Sequence, residues 1–367
     1  MKVKLKEICQ IEKGKQIDTS KLNNDNSYKY INGGIKESGF YSEYNTEGET
    51  ILVSEGGASC GYVNYISEKF WCGCHCYRLT NCVYYPKYIY YALKGNQDKI
   101  MALRTGAAMP NIKKTTFQDL EIKVNENIEH QQRIAIELDT IQSTIDNKQQ
   151  QLKELDELVK SRFIEMFGEG RCKQILFSEY AEIIDGDRGK NYPKSEDFSD
   201  NDYCLFLSAK NVTKNGFMFE TNQFISKEKD EILKKGKLNR GDIVITTRGT
   251  IGNIAYYDNS VPYENIRINS GMVIIRNKDL EFNQHFFLEA FRNKIDDIIA
   301  TQVTGAAQPQ LPIHIMSKII LPYPDIKLQN SFAAFVQQID KSKFVVKQQI
   351  KDLQELMDSK MQEYFGE

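Results

Sequence analysis

Two stretches of the chain place apolar residues three and four positions apart. The first holds Ile134, Leu138, Ile141, Ile145, Leu152, Leu155, Val159, Phe163 and Met166, with one polar interruption near Lys148. The second holds Phe332, Val336, Ile339, Val346, Ile350, Leu353, Met357, Met361 and Tyr364. That spacing is the helical period, and the charged positions between make each stripe a coiled-coil-like seam. About 38 residues at 1.5 Å rise predict a rod of roughly 55–60 Å. A stripe of this kind must be covered, and the obvious cover for each rod is the other. Ahead of each rod, short β-branched and aromatic runs such as Gly241–Thr246 and Gly271–Arg276 are broken by Gly and Asn, which predicts strands and turns. Helical pieces such as FNQHFFLEAFRNKIDDIIA follow, so each head reads as mixed α/β.

The two halves repeat. LKELDELVKSRFIEMFGE (152–169) aligns with IKDLQELMDSKMQEYFGE (350–367) at an offset of 198. TGAAMP (105–110) aligns with TGAAQP (304–309) at an offset of 199, so one small deletion reconciles the two. ETILVSEGGASCGYVNY (49–65) resembles DIVITTRGTIGNIAYY (242–257), and both run strand, Gly-rich turn, strand. YINGGI (30–35) matches the character of FLSAKNV (206–212), and LKEICQIEKGK corresponds loosely to FSEYAEIIDGDRGK. A period this long is a duplicated domain and not a solenoid. The expected class is α+β: two mixed α/β heads (1–125 and 170–325), and two helical regions (126–169 and 326–367) paired as an antiparallel coiled coil. Antiparallel rods imply approximate two-fold symmetry, with two similar heads held by a spacer.

Charge narrows the function. The chain carries 48 Lys and Arg against 50 Asp and Glu, a net charge of −2. A protein that simply coats DNA is strongly basic, so any nucleic-acid surface here is a local patch or is completed by a partner. The opening MKVKLKEICQIEKGK lacks an apolar core, and no run approaches a membrane span, so a cytoplasmic chain away from membranes is expected. Its eight Cys are then expected as thiols. GGASCGYV has no Lys-Ser/Thr after its glycines and is no phosphate-binding loop. No Asn/Asp-Pro-Pro-aromatic tetrapeptide occurs, and His75, His130, His285 and His314 are scattered. None of these features supplies catalytic machinery.

In the order TGAAMPNI and TGAAQPQL, RGDIVITTRGTIGNIAYY, and the helices bearing NIEHQQRIAIELDTI and KLQNSFAAFVQQIDK, the chain resembles the specificity subunits of type I restriction-modification systems over essentially its full length. The resemblance implies a non-catalytic subunit with two target-recognition domains, each reading one half of a split, asymmetric site in double-stranded DNA. It implies that the helical regions set the gap between half-sites and dock two methyltransferase (modification) subunits. Restriction/translocase subunits can join. Adenine methylation with S-adenosylmethionine, and ATP- and Mg2+-dependent cleavage, belong to those partners, and no cofactor is expected on this chain.

Candidate DNA contacts follow from residue chemistry. In the Gly-rich turns these are Ser54, Gly56, Gly57 and Gly61, and Arg248, Thr250 and Gly252: bare backbone and hydroxyls suit phosphate, and Arg suits phosphate or guanine. The alternative is a tight hairpin that needs positive φ. Glu55, near the place of Arg248, can accept from cytosine N4, so the heads are expected to read different bases. Thr105 and Gly106, with Thr304 and Gly305, either present a hydroxyl and bare backbone to phosphate or form a loop that turns the chain from head to rod. Gln308 can pair adenine through its amide. Lys15, Arg188, Lys190 and Lys210 are phosphate candidates or solvated surface charges, with Asn32, Gly33 and Asn211 in the adjoining turns. Cys72, Cys74 and Cys76 alternate, which on one strand points three thiols to one face and His75 to the other. They read as small core residues, with a zinc site as the alternative. The outer faces of the rods, around Glu129–Arg133 and Gln329, are expected to include the methyltransferase dock. Two further functions stand beside the reader: a coiled-coil adaptor joining two protein partners, and a nuclease built on a Cys/His metal site.

Overall fold

The computed structural model describes residues 1–106, 109–278, 281–302 and 310–366. The chain divides into two compact units, Met1–Leu152 with Val345–Glu367, and Lys153–Phe344. Each unit contains one head and a part of each long helix.

In the first unit a four-stranded antiparallel sheet runs in the order Gln10–Lys13, Cys76–Thr80, Thr50–Ser54, Val63–Ile66. Thr50–Ser54 is a central strand buried along its whole length, which its TILVS composition suits. A three-stranded sheet sets Tyr28–Ile31 between antiparallel Gly39–Tyr41 and parallel Phe70–Cys72. Lys2–Lys4 pairs with Glu121–Lys123 and ties the start of the head to its end. The helix Pro86–Gly95 starts on a proline, whose missing N–H costs nothing in the first turn. It buries Tyr88, Ile89, Ala92 and Leu93 in one core with Ile51, Val53, Val63 and Leu79. Ile134, Leu138 and Phe365 of the long helices join that core. Each such buried apolar side chain contributes about 1.5–3 kcal/mol.

The second unit repeats this plan. Its four-stranded sheet runs Ala181–Asp185, Met272–Asn277, Ile243–Thr246, Ile254–Tyr256. Cys204–Leu207 lies between antiparallel Phe224–Ile225 and parallel Ile266–Ile268, and Gln174–Leu176 pairs with Ile320–Pro322. Matching strand order, including one parallel pair in each head, makes the duplication a property of the fold as well as of the sequence. This unit adds a short hairpin, Val212–Thr213 with Gly216–Phe217, and a helix, Lys227–Ile232. Its core is phenylalanine-rich: Phe177, Phe286, Phe287 and Phe291 pack with Phe163, Phe167 and Phe332 of the long helices.

The long helices are Ile128–Phe167 and Ile326–Phe365, each of 40 residues. In the first unit Ile141 and Ile145 pack with Val346 and Ile350, while Glu137 accepts from Tyr364 Oη at 2.7 Å and pairs with Lys360 at 3.2 Å. Rising numbers on one segment meet falling numbers on the other, so the seam is antiparallel. In the second unit Val159 and Phe163 pack with Phe332, Val336 and Ile339, and Asp156 pairs with Lys343 at 2.6 Å, in the same antiparallel sense. The periodicity omitted Phe167 and Phe365, which are both buried at the helix ends.

One expectation about the rods is corrected. Gln131 and Gln329 do not belong to an exposed docking face, for both are buried. Gln131 accepts from the Tyr85 N–H (2.9 Å) and donates to the Asn125 carbonyl (2.6 Å). Gln329 accepts from the Asn283 N–H and donates to the Pro324 carbonyl, both at 2.9 Å. Each amide thus braces a head helix against the start of the long helix that follows it, using the donors a helix N-terminus leaves free.

Candidate nucleic-acid interface

In head 1 the strand Thr50–Ser54 runs out into the Gly-rich turn, which closes when Gly61 N–H donates to the Ser54 carbonyl (2.8 Å). Gly61 has φ +84°, and a Cβ there would stand 3.2 Å from Ile112 and from Met101, so glycine is required. The TGAAMP segment is a closed loop: Thr105 and Asn111 exchange backbone hydrogen bonds of 2.8 and 2.9 Å. That loop is stitched to the turn, because Ile112 N–H donates to the Glu55 carbonyl (2.8 Å) and Gly57 N–H to the Pro110 carbonyl (3.0 Å). The Asn32–Gly33 turn forms the third side. Asn32 Oδ1 accepts from the His75 N–H (3.1 Å), and Gly33 N–H donates to Cys76 Sγ (3.0 Å). These three motifs, far apart in sequence, line one open cleft of about 640 Å3 together with Lys13, His75, Met109 and Asn111.

Not every candidate reaches this surface. Asn32, Gly33, Gly56 and Gly57 line the cleft. Thr105 and Gly106 are exposed on the loop, with the Thr105 hydroxyl donating to Asn111 Oδ1 at 3.2 Å. Lys15 is exposed, but it is not among the residues lining the cleft, and its carbonyl accepts from Trp71 Nε1. Ser54 is buried under the turn and Gly61 under Met101 and Ile112, so both shape the hairpin rather than face outward. Glu55 is also corrected. It lines the cleft, but its largely buried carboxylate already accepts from Lys13 Nζ (2.6 Å) and Tyr77 Oη (3.2 Å), so it stands there as the counter-charge of Lys13. Burial and the Glu55 carboxylate push the Tyr77 phenol up to about 12, so Tyr77 remains a donor.

The cysteine cluster is not one strand. Cys72 ends one strand and Cys76 starts another, with a turn between in which Cys76 N–H donates to the Gly73 carbonyl (3.2 Å). Gly73 permits the turn, since a Cβ would come within 2.3 Å of Asn32 Oδ1. Cys72 and Cys76 are buried, and Cys74 donates to Gln16 Oε1 (2.9 Å). Among the described residues no three His, Cys, Asp or Glu side chains are placed to hold a metal ion.

Head 2 builds the same junction. Gly252 N–H donates to the Thr246 carbonyl (3.0 Å), and Leu311 N–H donates to the Thr247 carbonyl (3.0 Å). Arg248 bridges to Gln310 through the backbone, as Gly56 does to Asn111. Arg248 and Thr250 are exposed at the tip. Arg188 is exposed, pairs with Asp185 (3.1 Å) and donates to the Ser270 carbonyl (3.3 Å), beside the Gly271 carbonyl that accepts from the Arg248 N–H. Arg188 and Arg248 therefore converge on the 269–271 turn. Lys190 and Lys210 are exposed. The segment after Lys210 is tied to the Gly-rich turn by Asn253 Nδ2 donating to the Val212 carbonyl (2.9 Å).

Asn211 is corrected. It is buried, its Nδ2 donates to the Met218 and Thr221 carbonyls and its Oδ1 accepts from Ser208, so its amide is spent inside the head. Thr304, Gly305 and Gln308 lie outside the described residues. Sequence reasoning passed over Asn111 and Gln310, which hold one place in the two loops, and it treated His75 only as a metal-ligand candidate. Asn111 and Gln310 were legible as the residues following the two repeated prolines.

Residues 1–157 and 177–355 match the family described as the type I restriction modification DNA specificity domain. A type I specificity subunit of Mycoplasma genitalium is 27% identical over 369 residues, covering 97% of this chain and 91% of that relative. The MjaIX type I restriction enzyme specificity subunit of Methanocaldococcus jannaschii is 23% identical over 302 residues, 77% of this chain and 68% of the relative. Among solved structures, the S subunit of a type I restriction-modification system from M. genitalium superposes with a TM-score of 0.63 at 22% identity, over 100% of this chain and 96% of that one. At that identity the superposition speaks for the fold.

Proposed function

Because the chain belongs to the type I restriction modification DNA specificity family, we propose that it is the non-catalytic DNA-reading subunit of such a system. Each head reads one half of a bipartite, asymmetric site. The long helices set the spacing between halves and dock two methyltransferase subunits, which methylate adenine using S-adenosylmethionine. Restriction/translocase subunits that use ATP and Mg2+ join the same core, and the assembly works in the cytoplasm. The observation that carries this reading is the contact repeated in the two heads: a Gly-rich turn paired through its backbone with Asn111 and Ile112 in head 1 and with Gln310 and Leu311 in head 2, under different exposed side chains. A common frame with unlike side chains is what two readers of unlike half-sites require. Exposed Arg188, Lys190 and Lys210 supply phosphate contacts in head 2, and Lys15 does so in head 1. A net charge of −2 suits a reader whose partners neutralise much of the DNA backbone. Among the described residues no helix is long and apolar enough to cross a membrane.

The test is to co-express the chain with its methyltransferase subunit and map adenine methylation by single-molecule sequencing. A split motif with both halves defined is expected, with half-site centres about 10 base pairs apart if both heads engage one face of the duplex. A complex that forms and methylates no defined motif overturns the reading. Inserting four residues near Lys148 is expected to alter the gap and leave both half-sites as they were, and a changed half-site sinks the spacer role.

A further inference from the structure

Beside the Gly-rich turn of each head the register brings two positions face to face. In head 1 the ladder pairs Ser54 with Cys76 and continues as Glu55 N–H donating to the His75 carbonyl (2.8 Å). In head 2 it pairs Thr246 with Met272 and continues as Thr247 N–H donating to the Gly271 carbonyl (2.8 Å). His75 therefore occupies the place of Gly271. Gly56 occupies the place of Arg248, since each bridges to the residue after its loop, Asn111 or Gln310. The two heads fill the pair in opposite ways: glycine and histidine in head 1, arginine and glycine in head 2.

Backbone geometry does not explain the two glycines. Neither Gly56 nor Gly271 has a positive φ. A Cβ on Gly56 would stand 3.4 Å from the nearest atom, the Pro110 carbonyl oxygen. A Cβ on Gly271 would stand 3.3 Å from Asn269 Oδ1 and 3.8 Å from Arg248 Cβ. Either position accepts a side chain with at most a small adjustment of a side-chain amide. What the glycine leaves is room beside the one side chain that projects. His75 is exposed and lines the cleft, and Arg248 is exposed at the turn tip. Among the described residues neither ring nor guanidinium makes a hydrogen bond or ion pair. Arg248 presents a fork of N–H donors that matches the adjacent N7 and O6 acceptors of guanine, and His75 presents a ring N–H that can meet one of those acceptors.

We propose that positions 56/75 and 248/271 are one base-reading slot, filled from opposite sides by His75 in head 1 and by Arg248 in head 2, each selecting a guanine in its own half-site. This rests on the heads being DNA readers. The test uses the full chain with its methyltransferase subunit and maps the methylation motif for wild type, H75A, R248A and the exchange variant G56R/H75G. H75A is expected to relax one guanine position in the half-site read by head 1, with discrimination there falling about tenfold or more, and to leave the other half-site alone. R248A does the same in the other half-site. G56R/H75G restores selection at the position that H75A relaxes. An unaltered motif in both alanine variants overturns the proposal, as does relaxation at a position that is not guanine. If a variant methylates too little to map, binding of the purified complex is measured on duplexes substituted one base pair at a time. A uniform loss of affinity with unchanged ratios marks a phosphate contact and also overturns it. A wild-type complex without a split motif defeats the DNA-reading function itself, which is a separate result.

Discussion

The two heads share a frame yet anchor its parallel strand pair by opposite means. In head 1 Tyr30 pairs with Trp71 across that pair, and in head 2 the same register pairs Phe206 with Arg267. Trp71 packs edge-on against Tyr41, ring centroids 5.0 Å apart, and its Nε1 donates to the Lys15 carbonyl. Arg267 is buried and pairs with buried Asp230, and its other donors go to the Asp230, Leu233 and Lys235 carbonyls. Asp230 also pairs with Lys237, and it sits on the helix Lys227–Ile232 that only the second unit adds. The difference teaches that strand order and register constrain the fold more tightly than side-chain chemistry does. A buried guanidinium is tolerated where an inserted helix brings its counter-charge and satisfies its remaining donors.

The strongest way to break that comparison is Asp230→Ala. It leaves Arg267 buried and uncompensated, and a loss of about 3–5 kcal/mol is expected from denaturant unfolding. A loss below about 1 kcal/mol would mean that the pair does not anchor the head. The same pair carries a pH signature. Burial raises the Asp230 carboxyl, but hydrogen bonds from Lys237 and Arg267 outweigh it and hold the group below its ordinary value. A depressed folded value means the contribution is present above the unfolded value of about 3.9 and is lost as pH falls through the folded one. Unfolding at a series of pH values should show this loss, and Asp230→Asn should remove that part of the dependence.

Next in size is Gly252→Ala, where φ is +86° and a Cβ would stand 2.7 Å from Ile299 and 2.9 Å from Ile295. Left-handed strain and overpacking together predict a loss of about 2–4 kcal/mol. Gly57→Ala, at φ +80° with open space around it, carries the strain alone and should cost about 1–2 kcal/mol. Equal costs at the two positions would show that the contact with Ile295 and Ile299 is soft. A matched pair of substitutions sharpens the likeness of the heads. Gln131→Ala and Gln329→Ala should each cost about 1–3 kcal/mol, since each strands a part-buried N–H and a carbonyl. Unequal values would show that the repeated brace does unequal duty.

Part of this molecule was legible before any coordinates. The duplication and both long helices follow from apolar periodicity and from the repeat, because those signals are local or self-referential. The Gly-rich hairpins were legible too, since a strand, a cluster of glycines and a second strand admit few other arrangements. Side-chain destinations were not. Asn211 and Ser54 looked like polar turn residues and are buried, Glu55 looked like a base reader and is held by Lys13 and Tyr77, and Gln131 looked like a rod surface and is a brace. By itself the sequence determined that there are two copies of one frame joined by paired helices, for periodicity and repetition are written residue by residue. Only the tertiary structure decided which motifs meet. Ladder register and loop closure bring residues 33, 56, 75 and 111 to one cleft, and set His75 where the other head has Gly271. That neighbourhood is a property of long-range hydrogen bonds, and no short window of sequence contains it.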